Sequence, residues 1–320
     1  MLRFLVMAVS LALLPAALMT AKAEDPFRSV DPGQVTPPPA RHSPPRTYSA
    51  PAPGPAAKPT AADAAAPYFS RGLGYLRAAQ YDLALADMNQ AIKLYSDDAS
   101  MYRVRGNIYF NKGDYDHAID DYERAIKRNP ADRESLQHRG LAYMLYKNQY
   151  RRAIQDFGEA IRLNPNDADS YRNRGISYLR NDGQYDFAIQ DFDQALRLNP
   201  RDAESYKNRG AAWLNKGQLV RAMPDLEQAV RLNPRDVEAL RTRGTARAAG
   251  GQYDRAIQDF DAVLRVLPND AFTYVSRGKA FRAMGQEDRA LADFARAKQL
   301  YPNPLLSGVF RTNRSEVSDL

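Results

Sequence analysis

The chain has 320 residues, 44% apolar and 26% charged, with no cysteine and a formal net charge of +7. That apolar share is ample for a buried core, and the missing cysteines exclude disulfides, thiolate zinc sites, a thiol nucleophile and a lipid-bearing cysteine. The charge is basic yet far from the dense cationic patch of nucleic-acid-binding proteins, so no nucleic-acid partner is expected.

Residues 1–23 have the layout of a secretory signal peptide. Arg3 is the charged start, an apolar run follows over residues 4–19, and Ala21, Lys22 and Ala23 form a small-residue cleavage site before Glu24. The pattern predicts a periplasmic or secreted mature chain, whose net charge falls from +7 to +5 once Arg3 and Lys22 are removed. The alternative is an inner-membrane anchor left uncleaved, although the run is shorter than the ~20 residues of a span and is broken by Ser10 and Pro15. Residues 24–64 then read as a disordered Pro/Ala-rich linker, with Pro37, Pro38 and Pro39 in one run and Pro51, Pro53 and Pro55 in another. Such a composition cannot bury a core.

From residue 65 a period takes over. An Arg-Gly pair recurs at Arg71, Arg105, Arg139, Arg174, Arg209, Arg243 and Arg277, each followed 16 or 17 residues later by Asp87, Asp121, Asp156, Asp191, Asp225, Asp259 and Asp293. A repeat of 34 to 35 residues means a stacked array in which each unit packs on its neighbours. The units are 65–98, 99–132, 133–167, 168–202, 203–236, 237–270 and 271–304, and residues 305–320 form a tail that partly caps the last one. An aromatic follows most Arg-Gly pairs, at Tyr75, Tyr109, Tyr143, Tyr178, Trp213 and Phe281, with Arg247 in its place in the sixth unit. An alanine stands at Ala84, Ala118, Ala153, Ala188, Ala222, Ala256 and Ala290, and a large apolar group four residues later at Met88, Tyr122, Phe157, Phe192, Leu226, Phe260 and Phe294. Spacing by one helical turn puts both on a single buried stripe.

The helix ends are as regular. Prolines at 130, 165, 200, 234, 268 and 302 stop one helix; Asp132, Asp167, Asp202, Asp236 and Asp270 follow all but the last to cap the next helix, as does Asp98 at the first junction, and Pro304 ends the array. Gly113, Gly183, Gly217, Gly251, Gly285 and Asn148 suit the left-handed turn inside a unit, whereas the first unit has Ala79. The two 35-residue units place their extra residue in this turn, near Lys147 and Asn181.

These residues resemble the tetratricopeptide repeat family. The resemblance implies an all-α fold, a right-handed α-solenoid of stacked antiparallel helix pairs whose first helices line a concave groove. The repeated Arg and Asp are expected to be structural, pairing within or between units. Function is expected where the first helices differ: Arg103, Asn107 and Asn111, then His138, then Arg172, Asn173 and Arg180, then Lys207 and Asn208, then Arg241. Cations and amides in a groove suit a peptide or protein segment with acidic character, because Arg forks onto carboxylates and Asn bonds an extended backbone. The clamp with which some family members hold a chaperone C-terminus does not carry over. Arg103 and Asn107 resemble its opening pair, but His138, Asp169 and Asn173 depart from the rest. Pro224 inside a second helix, with Arg247, Gly250 and Gly251 nearby, predicts a soft joint around the fifth and sixth units.

No catalytic motif is found. His42, His117 and His138 share no metal-ligand spacing, and no phosphate loop, nucleophile elbow or zinc helix occurs, so neither a metal, a cofactor nor an enzyme activity is expected. Two functions remain: a scaffold holding a protein segment in the groove, or a part of an envelope machine that handles an acidic exported polysaccharide.

Overall fold

The computed structural model describes residues 60–300. The signal, nearly all of the linker and the 305–320 tail lie outside the described residues, as do Pro302 and Pro304. The described chain is fourteen α-helices in seven pairs: α1 (Ala61–Arg77) with α2 (Tyr81–Leu94), α3 (Ala99–Lys112) with α4 (Tyr115–Arg128), α5 (Arg133–Leu145) with α6 (Tyr150–Leu163), and α7 (Ala168–Arg180) with α8 (Tyr185–Leu198). Three more pairs follow, α9 (Ala203–Asn215) with α10 (Leu219–Leu232), α11 (Val237–Ala249) with α12 (Tyr253–Val266), and α13 (Ala271–Ala283) with α14 (Glu287–Leu300). Helix α1 opens at Ala61, four residues ahead of the repeat's expected start, because the alanine-rich run at 61–66 favours helix up to the repeat.

Each pair is held by a close crossing. The glycine of every Arg-Gly pair sits where a second-helix side chain needs room: a Cβ on Gly106 would lie 2.7 Å from the Tyr122 ring, on Gly175 2.8 Å from Phe192, and on Gly244 2.7 Å from Phe260. Tyr122, Phe157, Phe192, Leu226 and Phe260 are consequently 0% exposed, and so are the alanines one turn before them. Each such ring contributes about 1.5–3 kcal/mol by leaving water.

The turns follow the residues that occupy them. Asp98, Asp132, Asp202 and Asp236 accept from the free backbone N–H groups of the helices they open, Asp98 from the Ser100 N–H at 2.7 Å. The cap expectation fails at Asp167 and Asp270, whose side chains accept no backbone bond. Their carboxylates turn instead to the hydroxyls of Ser170 and Thr273 and to side chains of the preceding first helix. Inside the units, the turns of the third and fourth are the longest, over residues 146–149 and 181–184, where the extra residue was expected. Pro224 stands within a continuous α10 and faces solvent.

Successive first helices touch, α1 with α3 and so on to α11 with α13, whereas consecutive second helices share no comparable contact. Tighter spacing on one side bends the stack toward it. The first helices therefore form the inner wall.

Candidate functional site: the first-helix wall

All seven repeated arginines pair with the aspartate of their own unit. In each the Nε and Nη2 groups donate to the two carboxylate oxygens, as from Arg105 to Asp121 at 2.7 and 2.7 Å and from Arg174 to Asp191 at 2.8 and 2.7 Å. The same fork joins Arg71 to Asp87, Arg139 to Asp156, Arg209 to Asp225, Arg243 to Asp259 and Arg277 to Asp293. Five of the guanidiniums also lie over the tyrosine three residues earlier: Tyr68, Tyr102, Tyr171, Tyr206 and Tyr274. The environment of the carboxylate differs along the array. Hydrogen bonding from Arg71 holds Asp87 below its ordinary value. Burial pushes Asp156 and Asp191 above theirs, against the pull of their arginines. Among the described residues no helix pair precedes the first unit, so Asp87 is covered on one side less than Asp156 and Asp191. In the sixth unit Arg247, standing in for an aromatic, donates to Asp259 at 2.8 Å beside Arg243.

Nη1 of three of these arginines reaches back to the preceding second helix. Arg105 meets Asn89 at 2.7 Å, Arg209 meets Asp193 at 2.6 Å and Arg277 meets Asp261 at 2.5 Å. In the fourth unit the corresponding position is Gly158, and Nη1 of Arg174 lies 3.5 Å from where its Cβ would be.

The cations expected to face a ligand form a second series of pairs. Each reaches from its own first helix to the aspartate that opens the next one: Arg103 to Asp132 at 3.0 Å, Arg172 to Asp202 at 3.1 Å, Lys207 to Asp236 at 3.2 Å and Arg241 to Asp270 at 2.7 Å. Gln137 takes the same place in the third unit and donates to Asp167. Acids one helical turn earlier or in the next unit add to the pairing, with Glu134 at Arg103, Asp169 and Glu204 at Arg172, and Glu238 at Arg241. The sequence reading picked out the cations and passed over these acids and Gln137, although each recurs at a fixed offset from an Arg-Gly pair. Arg103, Arg172, Lys207 and Arg241 are thus all held in pairs of opposite charge, and Arg241 is only 5% exposed.

The amides divide into two sets. Asn107 is engaged, accepting from the Tyr122 hydroxyl at 2.8 Å, and His138 stacks on the same Tyr122 ring while its Nδ1 lies 2.9 Å from the Glu134 carbonyl. Phe110 stands edge-on to His138, Tyr115 and Tyr146, and the last two rings stack on each other. Desolvation there, with a hydrogen bond to Tyr146, pushes the Tyr115 hydroxyl up to about 12. Asn111, Asn173, Asn208 and Arg180 have no side-chain partner among the described residues, and Asn173 and Asn208 occupy equivalent positions of consecutive first helices. Lys279, in the last first helix, also has no acid partner among the described residues, and burial alone lowers its ammonium. Sequence reading missed it because no repeat position marks it.

Among the described residues no helix is long and apolar enough to cross a membrane. No curated protein matches the sequence. Solved structures do. A tetratricopeptide repeat protein from Parabacteroides merdae is 19% identical over 77% of this chain and 97% of its own, with a TM-score of 0.58. PilW, a widely conserved type IV pilus biogenesis factor, is 21% identical over 67% of this chain and 98% of its own, with a TM-score of 0.60. PilF of Pseudomonas aeruginosa is 18% identical over 66% and 94%, with a TM-score of 0.57. At such identities the likeness is one of fold. Family models described as tetratricopeptide repeat match residues 99–132, 221–271 and 241–303, and one described as TPR repeat matches residues 144–182 and 179–217. Matched helix pairs, the glycine crossings and the unbroken register together place this chain in the tetratricopeptide repeat family.

Proposed function

We propose that this chain is a non-catalytic protein-interaction scaffold that holds a peptide or protein segment along the first-helix wall. The observation that carries this reading is the pair Asn173 and Asn208. On a wall where Arg103, Arg172, Lys207 and Arg241 are all ion-paired, these two amides are one repeat apart and bond nothing in the described chain. An amide offers a donor and an acceptor together, which is what an extended backbone needs at intervals. The preference for acidic segments rests on Arg180 and Lys279, cations of the first helices with no acid partner among the described residues. Residues 1–23 support export, so the scaffold acts in the periplasm.

The test uses the full mature chain and a library of extended peptides, acidic and neutral, read by fluorescence anisotropy. Acidic peptides bind better than neutral ones, and the Asn173→Ala, Asn208→Ala double variant binds them at least tenfold more weakly with unchanged circular dichroism. Equal binding by that variant, or cross-links to peptide from a photoreactive group at Asp120 on α4 instead of at Asn173, would defeat the proposal.

A further inference from the structure

A hollow of about 380 Å³ lies where the turn between α5 and α6 meets the end of α7, lined by Asn148, Gln149, Tyr150, Arg151, Arg152 and Asn181. Its neighbours in the array show what belongs there. At three other steps a lysine near the end of one first helix pairs with an aspartate at the start of the previous second helix: Lys112 with Asp82, Lys147 with Asp116 and Lys216 with Asp186. At the step from the third to the fourth unit both partners are changed. The aspartate is Arg151, and the lysine's place, three residues before the second helix, is held by Asp182, next to Asn181.

The charges of the pair are reversed without a bridge forming between them, and the lining of the hollow is donor-rich and holds no carboxylate. Arg151 is exposed and has no partner among the described residues. Arg152 lies over the Tyr143 ring at 5.4 Å and attracts Asp156 one helical turn on, with no hydrogen bond to an acid among the described residues. Asn148 uses its carbonyl oxygen to accept from the Tyr150 hydroxyl at 2.8 Å, which leaves its NH2 group for another acceptor. Asn181 and Gln149 add two further amides. On the adjoining turn, Asp182 is exposed and makes no ion pair among the described residues. Guanidinium forks with amide donors around an open hollow match the several acceptor oxygens of a multivalent oxyanion. We propose that this hollow is an anion site of the phosphate class, separate from the peptide-holding wall and independent of that reading.

The test is a titration of the full mature chain with inorganic phosphate at constant ionic strength, followed by the NMR signals of the Asn148 and Asn181 side-chain amides. Saturable shifts are expected at both residues. Arg151→Asp, which restores the acid found at Asp82, Asp116 and Asp186, weakens binding at least tenfold, whereas Arg197→Asp, on the exposed face of α8, leaves it unchanged. The proposal is overturned by shifts that do not saturate, by equal affinity in Arg151→Asp, by equal weakening in Arg197→Asp, or by acetate saturating the same signals as tightly as phosphate.

Discussion

Arg241 of α11 donates to Asp270 at 2.7 Å, and Asp270 is the residue at which α13 begins. The Asp270 carboxylate caps no backbone N–H; it accepts from the Thr273 hydroxyl in the first turn of α13 and ties that helix to α11, the first helix of the preceding pair. Its partner Arg241 is nearly buried, so removing the acid strands a guanidinium that has Glu238 and the Thr273 hydroxyl left beside it. Asp270→Ala should cost about 3 kcal/mol, the usual penalty for breaking a buried pair. Asp98→Ala removes a cap that accepts only from the Ser100 N–H and should cost about 1 kcal/mol. Urea midpoints of the two variants are the check, and equal shifts would show that the pair with Arg241 is worth no more than a cap.

Ala79 ends the turn inside the first unit at a φ of 55°, where five other units place glycine at 64–81°. A Cβ strains that conformation, and glycine relieves the strain at some cost in unfolded-chain entropy. Ala79→Gly should therefore stabilise the array by about 0.5–1 kcal/mol. Thermal melting settles it, with a lowered midpoint contradicting the argument.

Two glycines on first helices should respond in opposite directions. A methyl on Gly175 meets the Phe192 ring at 2.8 Å, and overpacking of this kind costs about 1–3 kcal/mol. A methyl on Gly74 has nothing within 4 Å and adds helix propensity, so Gly74→Ala should gain up to about 1 kcal/mol. Hydrogen exchange in α7–α8 and in α1–α2 reads each change locally.

The carboxylates of the repeated pairs should titrate on either side of 3.8, their ordinary value, with Asp87 below and Asp156 and Asp191 above. The signs follow from linkage. Asp87 binds its proton less readily folded than unfolded, so its contribution is present above pH 3.8 and disappears as pH falls through its depressed folded value. Asp156 and Asp191 bind theirs more readily when folded, so their contribution is present below 3.8 and disappears as pH rises through the raised value. Acidification should open α1 and α2 before α5 to α8. Carboxyl 13C shifts against pH give the order, and a common midpoint for the three would refute it.

Much of this fold is legible in the sequence because its determinants are local and repeated. The alanine and aromatic spacing fixes the buried stripe, proline followed by aspartate fixes the helix starts, and the 35-residue units announce their longer turns. Partner choice is less legible. Arg103, Arg172, Lys207 and Arg241 look like free groove cations when each first helix is read alone, since their partners are 29 or 30 residues away, at the last residue of the unit. A carboxylate that can accept four bonds has capacity beyond capping, and sequence spacing does not say which donor takes it. The aromatic cluster around Tyr115 and Tyr146 depends on how two turns approach one another. No repeat position encodes that.

The junctions are not electrically alike. Where the fourth helix pair meets the fifth, Arg172 with Asp202, Arg209 with Asp193 and Lys216 with Asp186 are ion-paired, whereas where the third meets the fourth a neutral Gln137 replaces the cation and Arg133 with Asp167, at 3.5 Å, is the ion pair found among the described residues. Mobile ions in the surrounding medium screen partly exposed pairs and leave apolar packing almost untouched. Rising electrolyte concentration therefore loosens the fourth-to-fifth seam while sparing the one before it, so the medium, together with the residues, decides where the stack flexes.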